Sequence, residues 1–258
     1  MQYTPKQAAL TTHGPLDEIA RFFQSCLSPC GAAENPRLPG NRGLWTTRHA
    51  GLGTCNIGLM LKIYGTSGSR AVRTLWAAEE CGVEFEHIPT HFIGEAQEKD
   101  YLTLNPNGKV PTLVDDDLVL FESMAINLYL AENYGGMLWP QTKIDRARAL
   151  QWSVWGVAEV ENHTIPIVWE LMFKKNESER DMATVDKHRE ALGRPLRMLN
   201  RHLSQSTYLL SNDFTIADVN VAGTVSLAQI DWSNYPEIER WQSDCRARPA
   251  FQRAQARA

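Results

Sequence analysis

Three short stretches of this chain carry groups able to do chemistry. Thr66-Ser67-Gly68-Ser69 places three hydroxyls just ahead of a helical pattern, Ser69 to Cys81, in which Val72, Leu75 and Trp76 share one face. Hydroxyls at a helix N-terminus can donate hydrogen bonds to a bound thiolate, and the positive helix end favours the ionised form, so both lower a thiol pKa. Glu122-Ser123 opens a second helical pattern, Ile126, Tyr129 and Leu130. The first amides of that helix lack intrahelical partners and suit an anion. Between the two lies Asn105-Pro106-Asn107-Gly108-Lys109-Val110-Pro111-Thr112-Leu113. Pro106 and Gly108 fit a turn, and Pro111, having no amide to give a ladder, leaves the backbone of Val110 free to pair with something other than its neighbour. Taken singly, a serine before an apolar helical run is an N-cap and a proline is a turn or edge residue. The order of turn, Val-Pro, hairpin, Glu-Ser and helix within residues 105 to 126 is what marks a site.

The elements that must hold these groups can be read around them. Leu61-Lys62-Ile63-Tyr64-Gly65 reads as a strand, Gly82 stops the helix that follows, and Val83 to Ile88 alternates as a second strand. Strand, helix and strand then make a right-handed crossover between parallel strands. Gly94 to Leu102 supplies a weaker charged helix. Thr112 to Val114 and Leu118 to Phe121 flank Asp115-Asp116-Asp117 as an antiparallel hairpin. The resulting order, strand, helix, strand, helix, strand, strand, helix, is thioredoxin-like. A dithiol redox protein of that order needs Cys-x-x-Cys between the first strand and first helix, where this chain has hydroxyls instead.

The segment from Asn105 to Ser123 closely resembles the glutathione-binding site of the cytosolic glutathione transferase family, and the likeness extends over residues 61 to 258. The resemblance implies a thioredoxin-like α/β domain at 61–137 and an all-helical domain at 142–258. It implies a cis Val110-Pro111 bond, with the Val110 backbone pairing to the cysteine of glutathione as an added strand. Ser123 and its helix end would receive the γ-glutamyl carboxylate, and Glu122 the ammonium beside it. Alignment on Arg70 puts the catalytic hydroxyl of theta-like, phi-like and related bacterial members at Thr66, with Ser67 next and Ser69, the simplest N-cap, last. Some classes carry a histidine where Ala96 stands. Its absence leaves Gln97 and Lys109 to meet the glycyl end. The implied activity is conjugation of the glutathione thiolate to an electrophilic small molecule by a cytoplasmic homodimer active in detoxification, with glutathione as co-substrate and no metal. A glutathione-dependent dehalogenase or ether-cleaving lyase, or a non-catalytic binding or regulatory member, shares the same fold.

Beyond the linker Gly135 to Pro140, helical periodicity runs from Arg146 to about Phe173, Phe214-Thr215-Ile216-Ala217-Asp218-Val219 contains a capping box, and Pro236 to Ala247 forms a final helix before Pro249. By analogy the first of these helices borders the electrophile. Trp152 and Trp155 share a face with Glu159 there, although core packing explains either tryptophan as well. His163 reads as a hydrogen-bonded structural residue. With 258 residues, 43% of them hydrophobic, the chain can bury two modest cores. A net charge of −4 gives no electrostatic basis for nucleic-acid binding, no apolar run approaches a membrane span, and five scattered cysteines suit a reducing compartment. No His, Cys, Asp or Glu cluster has metal-ligand spacing. Residues 1–60, with five of the thirteen prolines and seven of the seventeen glycines, lie outside the resemblance. They are expected to be a disordered extension, with one short amphipathic helix after Pro15, or the product of an overlong start ahead of Met60.

Overall fold

Strand β1 (Lys62–Tyr64) is central because Ile63 is fully buried while its neighbours are half exposed, the alternation of a sheet with one face on a core. A computed structural model describes residues 61–174 and 176–257, so the expectations for residues 1–60 lie outside the described residues. Helix α1 (Ala71–Cys81) follows β1 and ends at Gly82, whose left-handed φ of 64° closes the helix at little steric cost. The crossover returns through β2 (Glu86–Ile88), parallel to β1. The stretch read as one charged helix is a 3-10 turn (Glu95–Gln97) followed by α2 (Lys99–Leu104). Strands β3 (Thr112–Asp115) and β4 (Leu118–Phe121) form the hairpin, β3 lying antiparallel to β1, so the sheet order is β2-β1-β3-β4. Helix α3 (Ser123–Tyr134) completes this thioredoxin-like half.

The second half is helical. One long rod runs from Lys143 to Phe173 as α4 (Lys143–Trp155), a π-helical turn (Gly156–Glu161), α5 (Asn162–Val168) and a second π turn (Trp169–Phe173). Pro166 lies inside α5 and has no amide to close an intrahelical bond. Wide turns flank it, and turns of that kind recur at functional sites. Helix α6 (Met182–Leu203) buries Val185, Leu192, Leu196, Leu199 and Leu203, a three-and-four spacing that puts one face on the core. Helix α7 (Ile216–Val225) is buried on nearly all sides; at its start Asp218 accepts bonds from the Thr215 amide (2.9 Å) and hydroxyl (3.1 Å), the Leu209 amide (2.9 Å) and Trp241 Nε1 (3.0 Å). Helices α8 (Pro236–Arg246) and α9 (Pro249–Ala256) follow, each with proline in its first turn. Leu75 and Trp76 of α1, Ile126 and Leu130 of α3, and Leu192 and Leu196 of α6 share one hydrophobic core, so sheet half and helical half pack as one unit.

Candidate functional site

Gly65 sets the first part of the site. Its φ is +130°, and a Cβ there would stand 2.5 Å from Ala71 Cβ and 3.1 Å from Val110 Cβ, so only glycine lets the end of β1 lie this close to α1 and to Val110. His87 of β2 holds the Gly65 carbonyl at 2.7 Å and Ile88 takes its amide at 3.1 Å. The turn that follows presents the three hydroxyls unequally. Ser69 donates to the Thr66 carbonyl (2.8 Å) and accepts from the Ala71 amide (3.1 Å), so its hydroxyl is engaged in the turn itself. Thr66 and Ser67 are half-buried, and their hydroxyls have no hydrogen-bond partner among the described residues.

The turn at 105–109 is built as a cage. Asn105, 1% exposed, directs its amide to the Lys109 carbonyl (2.8 Å) and Thr112 Oγ1 (3.2 Å), and its Oδ1 accepts the Asn107 amide (3.1 Å). Tyr101 adds bonds to the Lys109 carbonyl (2.6 Å) and Thr112 Oγ1 (2.7 Å), and burial pushes its hydroxyl pKa up. This cage delivers Val110 and Pro111, both buried, with a cis bond between them. The amide and carbonyl of Val110 pair with no other described backbone. Gln97 is fully engaged: its Oε1 takes the Gly94 amide (2.7 Å), while Nε2 donates to the Phe92 (3.2 Å) and Gly108 (2.8 Å) carbonyls. Lys109 is half-buried beside it.

At the far end of the hairpin Glu122 adopts φ +72°, a strained backbone for a residue with a side chain and one that marks functional positions. Its carboxylate is exposed. Ser123, 5% exposed, is the first residue of α3, and its hydroxyl has no partner among the described residues. Backbone amides at that helix end and an unused hydroxyl are groups that an anion can engage.

Arg70, directly before α1, and Arg73, in its first turn, reach the helical half. Arg73, 2% exposed, meets Glu161 at 3.1 and 3.2 Å, and Arg70 bonds the same carboxylate through Nε. Burial alone would push the Glu161 carboxyl up, but Arg73 and then Arg70 outweigh it and hold the pKa at about 2. The Arg73 stem lies on Gly223 of α7, where a Cβ would come within 2.4 Å of Cγ and Cδ. A buried polar chain runs alongside: Asn127 donates to the Arg73 carbonyl (3.3 Å) and to Asn220 Oδ1 (2.8 Å), Asn220 donates to Ser153 (2.8 Å), and Ser153 to the Ala149 carbonyl (2.7 Å). Glu161, Arg73, Asn127 and Asn220 were not singled out from the sequence, because the partners that join them lie tens of positions away.

Trp152 and Trp155 stack edge to face at 5.1 Å, and Trp152, 9% exposed, also packs on His202 of α6, so the pair faces the helical core. A different aromatic group stands by the site. Phe92, after β2, packs against the cluster of Ala96, Tyr101 and Val110 and meets Phe173 at 5.8 Å, which stacks on Trp169 at 5.4 Å. His163 pairs with His188 of α6 at 3.1 Å. Among the described residues no three His, Cys, Asp or Glu converge as a metal site, and no helix is long and apolar enough to cross a membrane.

Residues 59–132 match the family model of the glutathione S-transferase N-terminal domain, and residues 160–249 that of its C-terminal domain. Glutathione S-transferase 3 of Zea mays is 37% identical over 213 residues, covering 76% of this chain and 93% of the relative. Glutathione S-transferase GstB of Escherichia coli K12 is 31% identical over 202 residues, covering 75% and 97%. Among solved structures, a theta class glutathione S-transferase from Xanthomonas axonopodis pv. citri with glutathione bound superposes with a TM-score of 0.72 at 33% identity, covering 77% of this chain and 98% of that one.

Proposed function

Because the chain belongs to the cytosolic glutathione S-transferase family and is a glutathione-conjugating enzyme, we propose that its turn at Thr66–Ser69 activates the thiol of glutathione. In this reading Thr66 or Ser67 donates to the sulfur and Ser69 shapes the turn. The Val110 backbone takes the cysteinyl peptide as an added strand, while Ser123 and the α3 amides take the γ-glutamyl carboxylate and Glu122 its ammonium. Gln97 braces the loop between Gly94 and Gly108, and Lys109 supplies a cation for the glycyl carboxylate. The observation carrying this reading is the set of unused groups: the Val110 amide and carbonyl, the Ser123 hydroxyl, and those of Thr66 and Ser67. A thiol is a poor nucleophile and a thiolate a good one, so lowering its pKa is the chemistry conjugation needs.

The electrophile side falls to Phe92, Trp169 and Phe173 rather than to the core-facing Trp152 and Trp155. The division into domains at 61–137 and 142–258 follows the change from sheet to helices. Among the described residues Cys81 and Cys245 are free thiols, which suits a cytoplasmic setting. A homodimer is supported by apolar side chains left outside: Leu150, Val154 and Val157 at three-and-four spacing along the rod, and Leu118, Val119 and Phe121 on the outer strand. Retention on immobilised glutathione, followed by spectroscopic titration of the bound thiol, tests the site. A protein that neither binds glutathione nor lowers its thiol pKa would sink this reading.

A further inference from the structure

Glu161 sits where the helical half touches the turn that carries the hydroxyls. We propose that Glu161 is a positioning residue for thiol activation, holding Arg70 and Arg73 and through them the turn that presents Thr66 and Ser67. The proposal rests on the reading of that turn as the thiol-activating element.

The path is short and each link is a contact. Glu161 bonds Arg70, the residue directly before α1. Arg70 follows Ser69, whose hydroxyl holds the Thr66 carbonyl at 2.8 Å. A shift at Arg70 is therefore a shift at Thr66. One tether would still let the turn swivel, but Arg73, one helical turn on, is the second. Its guanidinium takes both carboxylate oxygens of Glu161, its stem is confined by Gly223, and its carbonyl is held by Asn127 at 3.3 Å. Two anchors a turn apart fix both the distance and the rotation of the start of α1. Glu161 closes the first π turn of the rod whose second π turn carries Trp169 and Phe173, so thiol and electrophile sides hang from one element. Stability alone is a weak reason for such a group, since buried ion pairs seldom outperform apolar packing of the same volume.

The sign of the effect separates positioning from simple charge. Arg70, Arg73 and Glu161 sum to one positive charge, and replacing Glu161 with a neutral residue makes the neighbourhood more positive. By field alone, Glu161→Gln would lower the thiol pKa. A displaced turn would raise it. Glu161→Gln is expected to raise the bound glutathione thiol pKa by about one unit, reduce kcat at neutral pH about tenfold with recovery at higher pH, and leave the glutathione KM within about twofold, because the ends of the tripeptide are held elsewhere. An unchanged or lowered thiol pKa in the folded variant overturns the proposal. Since the buried Arg73 charge left alone can prevent folding, Arg70→Lys is the companion variant. It keeps the charge at a half-exposed position and loses the planar fork, and it is expected to raise the thiol pKa in the same direction. A wild-type pKa in Arg70→Lys overturns the proposal equally. If the wild-type protein leaves the thiol of bound glutathione at its free pKa, the reading of the turn itself fails and this inference falls with it.

Discussion

At the scale of single residues, the hydroxyls divide by what already occupies them. The Ser123 hydroxyl makes no hydrogen bond among the described residues, so Ser123→Ala is expected to weaken glutathione binding by roughly 1 to 3 kcal/mol, the range for a charge-assisted bond. Its melting temperature should change little, and calorimetry showing unchanged affinity would remove Ser123 from the ligand set. Ser69→Ala should behave oppositely, losing about 1 kcal/mol of stability with its two bonds inside the turn. Of Thr66→Ala and Ser67→Ala, one should cut turnover at neutral pH with activity recovering as pH rises, since thiolate then forms unaided. Rates and pH profiles identical to wild type in both would transfer the role to a backbone amide. The motif from Asn105 to Ser123 was legible in the sequence because its parts are contiguous. The engagement of Gln97 and the cage around Lys109 were not, since nothing in the local pattern says which carbonyls an amide or a tyrosine hydroxyl will find.

Elements explain what the residues cannot. The first turn of α1 is held by a carboxylate whose folded pKa, about 2, lies below its ordinary value of 4.5. A carboxylate depressed on folding contributes stability that is complete above the ordinary value and lost as pH falls through that window toward about 2. Allowing for the half-exposed Arg70, the loss should be roughly 2 to 3 kcal/mol. Denaturant titrations across that window should show it in the wild type, with a shallower slope in Glu161→Gln; equal slopes would place the acid-labile group elsewhere. Gly223→Ala is a second check on the same contact. Its new methyl would meet the pinned stem of Arg73, and overpacking of this kind costs about 1 to 3 kcal/mol. A melting temperature equal to wild type would show that α1 and α7 separate easily. Strand and helix order was legible from periodicity around β1, α1, β3 and β4. Helix α6 and the short α9 were passed over: the first has no motif beyond its apolar spacing, and the second follows a proline that reads as a stop but stands in its first turn.

For the whole molecule, the expected assembly is two copies, so light scattering at micromolar concentration should give about twice the chain mass of 29.1 kDa. A value at the single-chain mass would leave the apolar rows on β4 and on the long rod without the cover proposed for them. The thioredoxin-like order could be read from one chain because each of its elements announces itself locally, while the seam between the halves depends on pairs such as Arg73 with Glu161, 88 positions apart. The longest of these connections reach back from the far helices to α1: Arg248 to Glu80 across 168 positions, Arg253 and Arg257 to Glu79 across 174 and 178, with Phe251 against Trp76 at 4.9 Å. During synthesis, α1 is made early and its covering helix very late. Until residues 248–257 have been translated, Trp76 lacks the Phe251 ring and the carboxylates of Glu79 and Glu80 lack their arginines. The surroundings of α1 are therefore complete only once the last helix has been made and docked, so the sheet half takes its final packing from the most distant contacts of the chain.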